Sequence, residues 1–375
     1  MTVYIKFWIC TLIIAVCIVV VRRTFRHIKR KKLTQMTAKL PEKPNRSAQK
    51  QFVVIINPSK KHADKIEREI LIYFESMKLD RPRVMYTSVE SAGFDEAKEA
   101  VLEGADVVLA CGGDGTVRQV AAGILAGMKH QRKTDQEQEL VEPELAVVPI
   151  GTGNLFARNL NLPLDDLSAA LNIAVFGRSH NIDLGFCKLD DDLEEHAFTV
   201  ISGVGFDANL VQGTNPEAKK KIGYLAYFMA GGKKMFSRSI KLRALIKTPK
   251  KKFQIETKLR SLMVGNCGKI PGFQLIPDAK YDDGLLDVVA INTTAGIVGW
   301  LQVATDVFLQ NFGIGSKSRL KIGRIDFLAA EEVQLELAKP QIIQVDGDLI
   351  GKASKITFWI EKAAIKVRLL KTSSQ

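Results

Sequence analysis

A chain of 375 residues with 46% apolar content exceeds one average domain and can build real cores, so two globular units are expected. The formal charge of +13 is concentrated in residues 22–50, where eleven Lys and Arg face Glu42 alone. The remainder is only mildly basic, which argues against nucleic acid as a partner. The five cysteines have neither paired spacing nor a ligand pattern, and the five histidines are dispersed, so no disulfide frame or zinc site is expected.

Residues 7–21 are almost wholly apolar and, with residues 3–6, are just long enough to span a bilayer if Lys6 snorkels. Tyr4 and Trp8 would suit the interface. The cations after Val21 put the following chain on the cytoplasmic side of a single-pass membrane protein. A cleaved signal peptide is the rival, but only Lys6 supplies charge before the apolar run and no A-x-A-like site precedes Arg22. The expected division is therefore an anchor over 1–21 and a basic juxtamembrane linker over 22–50 that faces an anionic membrane surface. An α/β unit over 51–183 and a β-rich unit over 184–375 follow.

The first folded unit opens on the apolar run 52–56, read as a buried strand that ends in Asn57-Pro58-Ser59. A helix over 63–77, a strand over 83–87 ending at Thr87, and a helix over 94–103 come next. Val107 to Cys111 form the central strand. Gly112, Gly113, Asp114, Gly115 and Thr116 then turn the chain into a helix with Val117, Val120, Ala121 and Ile124 on one face. Alternating strands and helices predict a parallel sheet between two helical layers, with ligands beyond the C-terminal strand ends. Glycines let a backbone approach phosphate closely, and free N–H groups at a helix N-terminus favour an anion. An aspartate aimed at phosphate would repel it, so Asp114 implies Mg²⁺ between them.

Residues 129–143 read as a polar, acidic excursion. A fourth strand over 145–150 opens onto a second glycine turn, Gly151-Thr-Gly-Asn154, with Thr152 available for phosphate and Arg158 for carboxylate or phosphate. After Gly185 helices become rare. Apolar runs at 197–204, 240–246, 253–264, 285–291, 334–337, 355–360 and 365–370 predict a mainly antiparallel second unit. Between them, residues 219–230 mix Lys219, Lys220 and Lys221 with Tyr224, Tyr227 and Phe228. This stretch suits either an interfacial membrane contact or a solvated helix packing its aromatics inward.

Gly112-Gly-Asp-Gly-Thr116 followed by Pro149-Ile-Gly-Thr-Gly-Asn154 resembles the diacylglycerol/sphingosine-type lipid kinases, in the superfamily shared with NAD kinases. The resemblance continues through Ile182-Asp-Leu-Gly185, Gly203-Val-Gly-Phe-Asp-Ala208, Asp282-Asp-Gly-Leu-Leu-Asp-Val288 and Val345-Asp-Gly-Asp348. It implies an N-terminal three-layer α/β nucleotide-binding domain, a C-terminal antiparallel β-sandwich-like domain, and ATP-dependent phosphorylation of a lipid hydroxyl between them. By position, Asn57, Pro58, Ser59, Thr87, Gly112, Gly113, Gly115, Thr116 and Thr152 would line the ATP site. Asp114, Arg158 and Asp183 would belong to the polar network around Mg²⁺ and the phosphates. The Asp283 carboxylate and the carbonyls of Lys280 and Leu285 would take a structural Mg²⁺. Asp348 stands where the family has a glutamate, the base for the acceptor hydroxyl, and is one methylene shorter; Gln119 replaces an Asn or Glu.

The chemistry agrees independently, because an alkanol needs a carboxylate within reach as the new bond forms, and the triphosphate needs its charge neutralised. Two rivals stay open, a soluble-substrate kinase of the NAD kinase kind and a non-catalytic lipid-binding scaffold. No stretch reads a headgroup, a chain length or an oligomeric state.

Overall fold

Continuous apolar strands belong where both faces of a sheet are covered, and the first half of the chain obeys this. The computed structural model describes residues 50–134, 142–190, 192–205, 239–270, 273–276, 278–293 and 323–370. Strand β1 (Phe52–Ile56) is buried at every position and leads through α1 (Ala63–Ser76) to β2 (Arg83–Tyr86). Next come α2 (Phe94–Leu102), β3 (Val107–Gly112), α3 (Asp114–Thr134) and β4 (Glu144–Pro149). These strands pair in parallel, with Val54 opposite both Val84 and Leu109, and Leu109 opposite Ala146. Val101, Val120 and Ile124 from α2 and α3 pack on one face of the sheet. Ile70 and Phe74 of α1 cover the other, with Leu171 of a later helix. Burial on both sides explains the unbroken hydrophobic runs.

Two helices, α4 (Leu155–Asn159) and α5 (Leu167–Phe176), lead into the β-rich half. Its strands are β5 (Arg178–Leu189), β6 (Glu195–Phe198), β7 (Ile201–Gly205), β8 (Ile240–Lys247), β9 (Lys252–Leu259) and β10 (Ser261–Gly265). The short pair β11 (Lys269–Ile270) and β12 (Phe273–Gln274) precedes β13 (Leu286–Thr293) and β14 (Gly323–Ala330). The last two are β15 (Glu332–Val345) and β16 (Asp348–Leu369). Strand β8 alternates buried and exposed residues, as a sheet with one dry face should.

The longest strand ties the halves together. Strand β16 runs antiparallel to β15 in its first part and antiparallel to β5 from Ile356–Leu189 to Leu369–Arg178. It also lies parallel to β4 at Lys366–Glu144 and Val367–Leu145, and the result is one 14-stranded sheet. Buried Arg368 secures the junction by pairing with Glu144 and donating to the Ala174 carbonyl at 2.9 Å. The position expected to divide the chain, after Asp183, falls inside β5.

Several expectations need correction. The acidic excursion at 129–143 begins later, because α3 continues to Thr134. The two runs at 355–360 and 365–370 form one strand, interrupted by a bulge where Ala363 adopts φ 48°. Strand β14 has no clear sequence signal, since it lies at a sheet edge and leaves Phe327 42% exposed. The expectation of a single-pass membrane protein is overturned, because among the described residues no helix is long and apolar enough to cross a membrane. Apolar α5 has only 10 residues, and α3, with 21, carries Arg118, Lys129, Arg132 and Lys133. Residues 1–21, on which that expectation rested, lie outside the described residues, as does the 219–230 stretch.

Candidate active site

The C-terminal ends of β1, β3 and β4 lie side by side, and Asn57 ties the end of β1 to β3 and α3. Its backbone N–H donates to the Cys111 carbonyl at 3.0 Å, and its Nδ2 donates to Thr116 Oγ1 at 3.1 Å. Its Oδ1 accepts from the Ser59 N–H and hydroxyl at 3.0 and 2.6 Å. Pro58 and Ser59 are exposed beside it, while Thr87 is buried with its N–H on the Ile56 carbonyl. The two glycine turns touch backbone to backbone. A Cβ built on Gly151 would lie 2.5 Å from Gly113 Cα, so only glycine permits the contact. The Ile150 N–H donates to the Gly112 carbonyl across the same junction. Thr152 stands exposed at the tip of the second turn.

Asp114 is the first residue of α3, and its Oδ1 accepts from the N–H groups of Leu155 and Phe156 at 2.5 and 3.3 Å. It thereby caps α4 and fixes the second glycine turn, which Arg158 braces by donating Nε to the Gly153 carbonyl at 2.7 Å. Burial pushes the Asp114 carboxyl up to about 6; the Asp346 charge adds to this, and the N–H groups of Phe156, Leu155 and Asn154 only partly offset it. Ionising Asp114 therefore costs the folded state free energy. That cost is absent below about pH 3, grows as pH rises, and is complete above about pH 6.5. Asp114→Asn keeps an acceptor for the α4 N–H groups without the charge. It should stabilise the ligand-free protein by about 3 kcal/mol at neutral pH, since each tenfold change in proton affinity is worth ~1.4 kcal/mol. Thermal unfolding of both proteins without nucleotide or Mg²⁺ checks this, and a difference that does not widen between about pH 4.5 and pH 7.5 refutes it.

The β-rich half reaches the same place from the opposite side. Asp348 opens β16, and a Cβ on Gly115 would sit 3.1 Å from its Oδ2, so the carboxylate lies over the first turn of α3. Arg118 donates to that oxygen at 3.1 Å and to the Val345 carbonyl at 2.8 Å. Asp346, two residues before, is buried and accepts four hydrogen bonds. They come from the N–H and hydroxyl of Thr199 and the N–H groups of Val200 and Ile201, all between 2.8 and 3.0 Å. The two aspartates of one short turn thus have opposite surroundings.

Asp183 sits apart from that centre. Its carboxylate accepts from the Gly284 N–H at 2.6 Å and the Ala363 N–H at 2.7 Å, so it ties the 281–285 turn to the bulge in β16. In that turn Asp283 accepts the Leu285 N–H at 3.1 Å, and burial raises its carboxyl. Asp287 follows, pushed up to about 6 by burial and by the Asp283 and Asp278 charges, with Oδ2 buried and without a hydrogen-bond partner. Among the described residues no three His, Cys, Asp or Glu side chains are spaced to hold a metal. The set expected here has one carboxylate and two carbonyls.

Sequence reasoning missed Lys60, Asn154 and Arg118. Lys60 Nζ lies 3.7 Å from a Cβ placed on Gly113, so an ammonium hangs over the first glycine turn. Its place in Asn57-Pro-Ser-Lys60 was the available signal. Asn154 adopts φ 49°, donates to the Gly151 carbonyl at 2.9 Å and leaves a buried Oδ1 without a partner. Arg118 gave no signal, because its partners lie 227 and 230 residues away in the chain.

The same arrangement has relatives. The diacylglycerol kinase catalytic domain family matches residues 51–187. The diacylglycerol kinase of Bacillus subtilis is 30% identical over 244 residues, covering 64% of this chain and 73% of that protein. A Pseudomonas aeruginosa protein named probable lipid kinase YegS-like is 29% identical over 273 residues, covering 72% of this chain and 79% of its own. A diacylglycerol kinase from Bacillus anthracis shares the fold with a TM-score of 0.60 at 15% identity, over 86% of this chain and 98% of that one. On its glycine turns, its two-part fold and these relatives, the chain belongs to the diacylglycerol kinase family of lipid kinases.

Proposed function

We propose that this protein transfers the γ-phosphate of ATP to the hydroxyl of a lipid such as diacylglycerol or a sphingoid base. The observation that carries the reading is the Asp348 carboxylate of the β-rich half, seated over Gly115 beside the two glycine turns. In this reading Asn57, Pro58, Ser59, Thr87, Gly112, Gly113, Gly115, Thr116 and Thr152 line the nucleotide site, and Lys60 offsets phosphate charge. The β4 turn is held in place by Asp114 and Arg158. Asp348 accepts the lipid hydroxyl proton as the new O–P bond forms, while the bond from the γ-phosphorus to the bridging oxygen breaks and ADP leaves.

The donor chemistry fits Mg²⁺ in two places. Asp114 brings a half-buried carboxylate to the phosphate turns, and the 281–285 turn offers Asp283 with the Lys280 and Leu285 carbonyls beside the unpartnered Asp287 oxygen. When bound, the ion supplies positive charge against the triphosphate. Asp183 is then a brace for the second of these turns rather than a group facing the phosphates.

Incubation with γ-labelled ATP, Mg²⁺ and a total lipid extract tests the reading. Label should enter the organic phase, and both Asp114→Ala and Asp348→Asn should lower its rate of entry sharply. Labelled NADP formed from NAD without lipid would favour the soluble-substrate rival, and no labelled product at all would favour the scaffold. Chromatography of the labelled lipid identifies the acceptor.

A further inference from the structure

A guanidinium on the buried side of a helix must be paired, and Arg118, 7% exposed between core residues Val117 and Val120, meets that demand in an unusual way. Both of its bonds leave its own half of the molecule. One holds main chain, the Val345 carbonyl before the 346–347 turn; the other holds the Asp348 side chain just after it. The pair is asymmetric, because the arginine is fixed by the core around α3 whereas the Asp348 side chain is 59% exposed. Asp346 clamps the turn from its far side through four hydrogen bonds, and Asp346 and Gly347 adopt φ 47° and 91°.

An aspartate carries its carboxylate one bond from Cβ, so the backbone must be brought to α3 if that group is to sit near the phosphate turns. The Arg118–Val345 bond does this, and the second bond then aims the carboxylate. Resting on the lipid kinase reading, we propose that Arg118 is a positioning residue that holds Asp348 in reach of the acceptor hydroxyl. Its charge stands one helical turn behind the N-terminus of α3, and its hydrogen bonds go to Asp348 and Val345. Its effect should therefore pass through Asp348 and leave nucleotide binding alone.

A double-mutant cycle tests this, with kcat and the KM for ATP measured on the unaltered protein, Arg118→Gln, Asp348→Asn and the double variant, using the lipid that accepts label. Arg118→Gln should lower kcat about 50-fold, the scale of an ångström-sized misplacement, with the KM for ATP unchanged. In the Asp348→Asn background the same change should cost less than about 3-fold, because residues acting as one unit are not additive. Arg118→Lys should recover only part of the rate, since one ammonium cannot span both acceptors. Free guanidinium should raise kcat of Arg118→Ala, and these two variants keep the test open if Arg118→Gln folds poorly. Losses that multiply in the double variant, or a raised KM for ATP with kcat retained, overturn the positioning role and leave the lipid kinase reading intact. An unaltered protein that labels no lipid overturns that reading, and the role falls with it.

Discussion

Asp348→Asn is expected to lower kcat by about 10²- to 10⁴-fold, the range over which a positioned general base contributes. The asparagine keeps the shape, and its carbonyl oxygen still accepts from Arg118, so the contact at 3.1 Å survives while proton affinity is lost. The side chain is 59% exposed, so folding should be unaffected. The KM for ATP should also hold, because the residues proposed to bind the nucleotide lie at the tips of β1 to β4 and not on β16. Initial rates with labelled ATP at saturating lipid measure the effect. A variant retaining more than about a third of the rate would remove Asp348 from the chemistry.

Asp346→Ala, two residues earlier, should fail differently. It strips the acceptor from three backbone N–H groups and one hydroxyl in a buried site, and breaking such a charged network costs about 3–5 kcal/mol. The loss should appear as a lower denaturation midpoint and less soluble protein. Asp346→Asn should fall between, because an amide restores one acceptor but turns an NH₂ group toward an N–H donor. An Asp346→Ala protein that unfolds at the same denaturant concentration as the unaltered one would contradict the structural role.

These two aspartates show where sequence reading stops. Asp346 and Asp348 flank one glycine, and although the resemblance singled out Asp348, only burial shows that one carboxylate is saturated by backbone while the other is left exposed over Gly115. Asp183 had the same ambiguity and proved to be bound to Gly284 and Ala363. By contrast, the tips of β1, β3 and β4 were legible, because buried parallel strands are unbroken apolar runs and their ends are marked by Asn-Pro-Ser and glycine turns. The helix after Gly112 was legible too, since Val117, Val120, Ala121 and Ile124 are all buried. Arg118 was not, since a pair formed across 230 residues leaves no local trace. The apolar run at 7–21 suggested an anchor from composition alone, and no described helix supports one.

The path of β16 bears on how the molecule is assembled. Glu144 meets Arg368 only after another 224 residues have been synthesised, so the open flank of β4 waits through most of translation for its neighbour. A fragment cut after residue 183 would expose that flank as a sticky, unpaired edge instead of forming a minimal nucleotide-binding module. Closure at such long range makes acquisition of the native state slow, and a nascent chain has the tips of β1 to β4 before it has the strand that seals them.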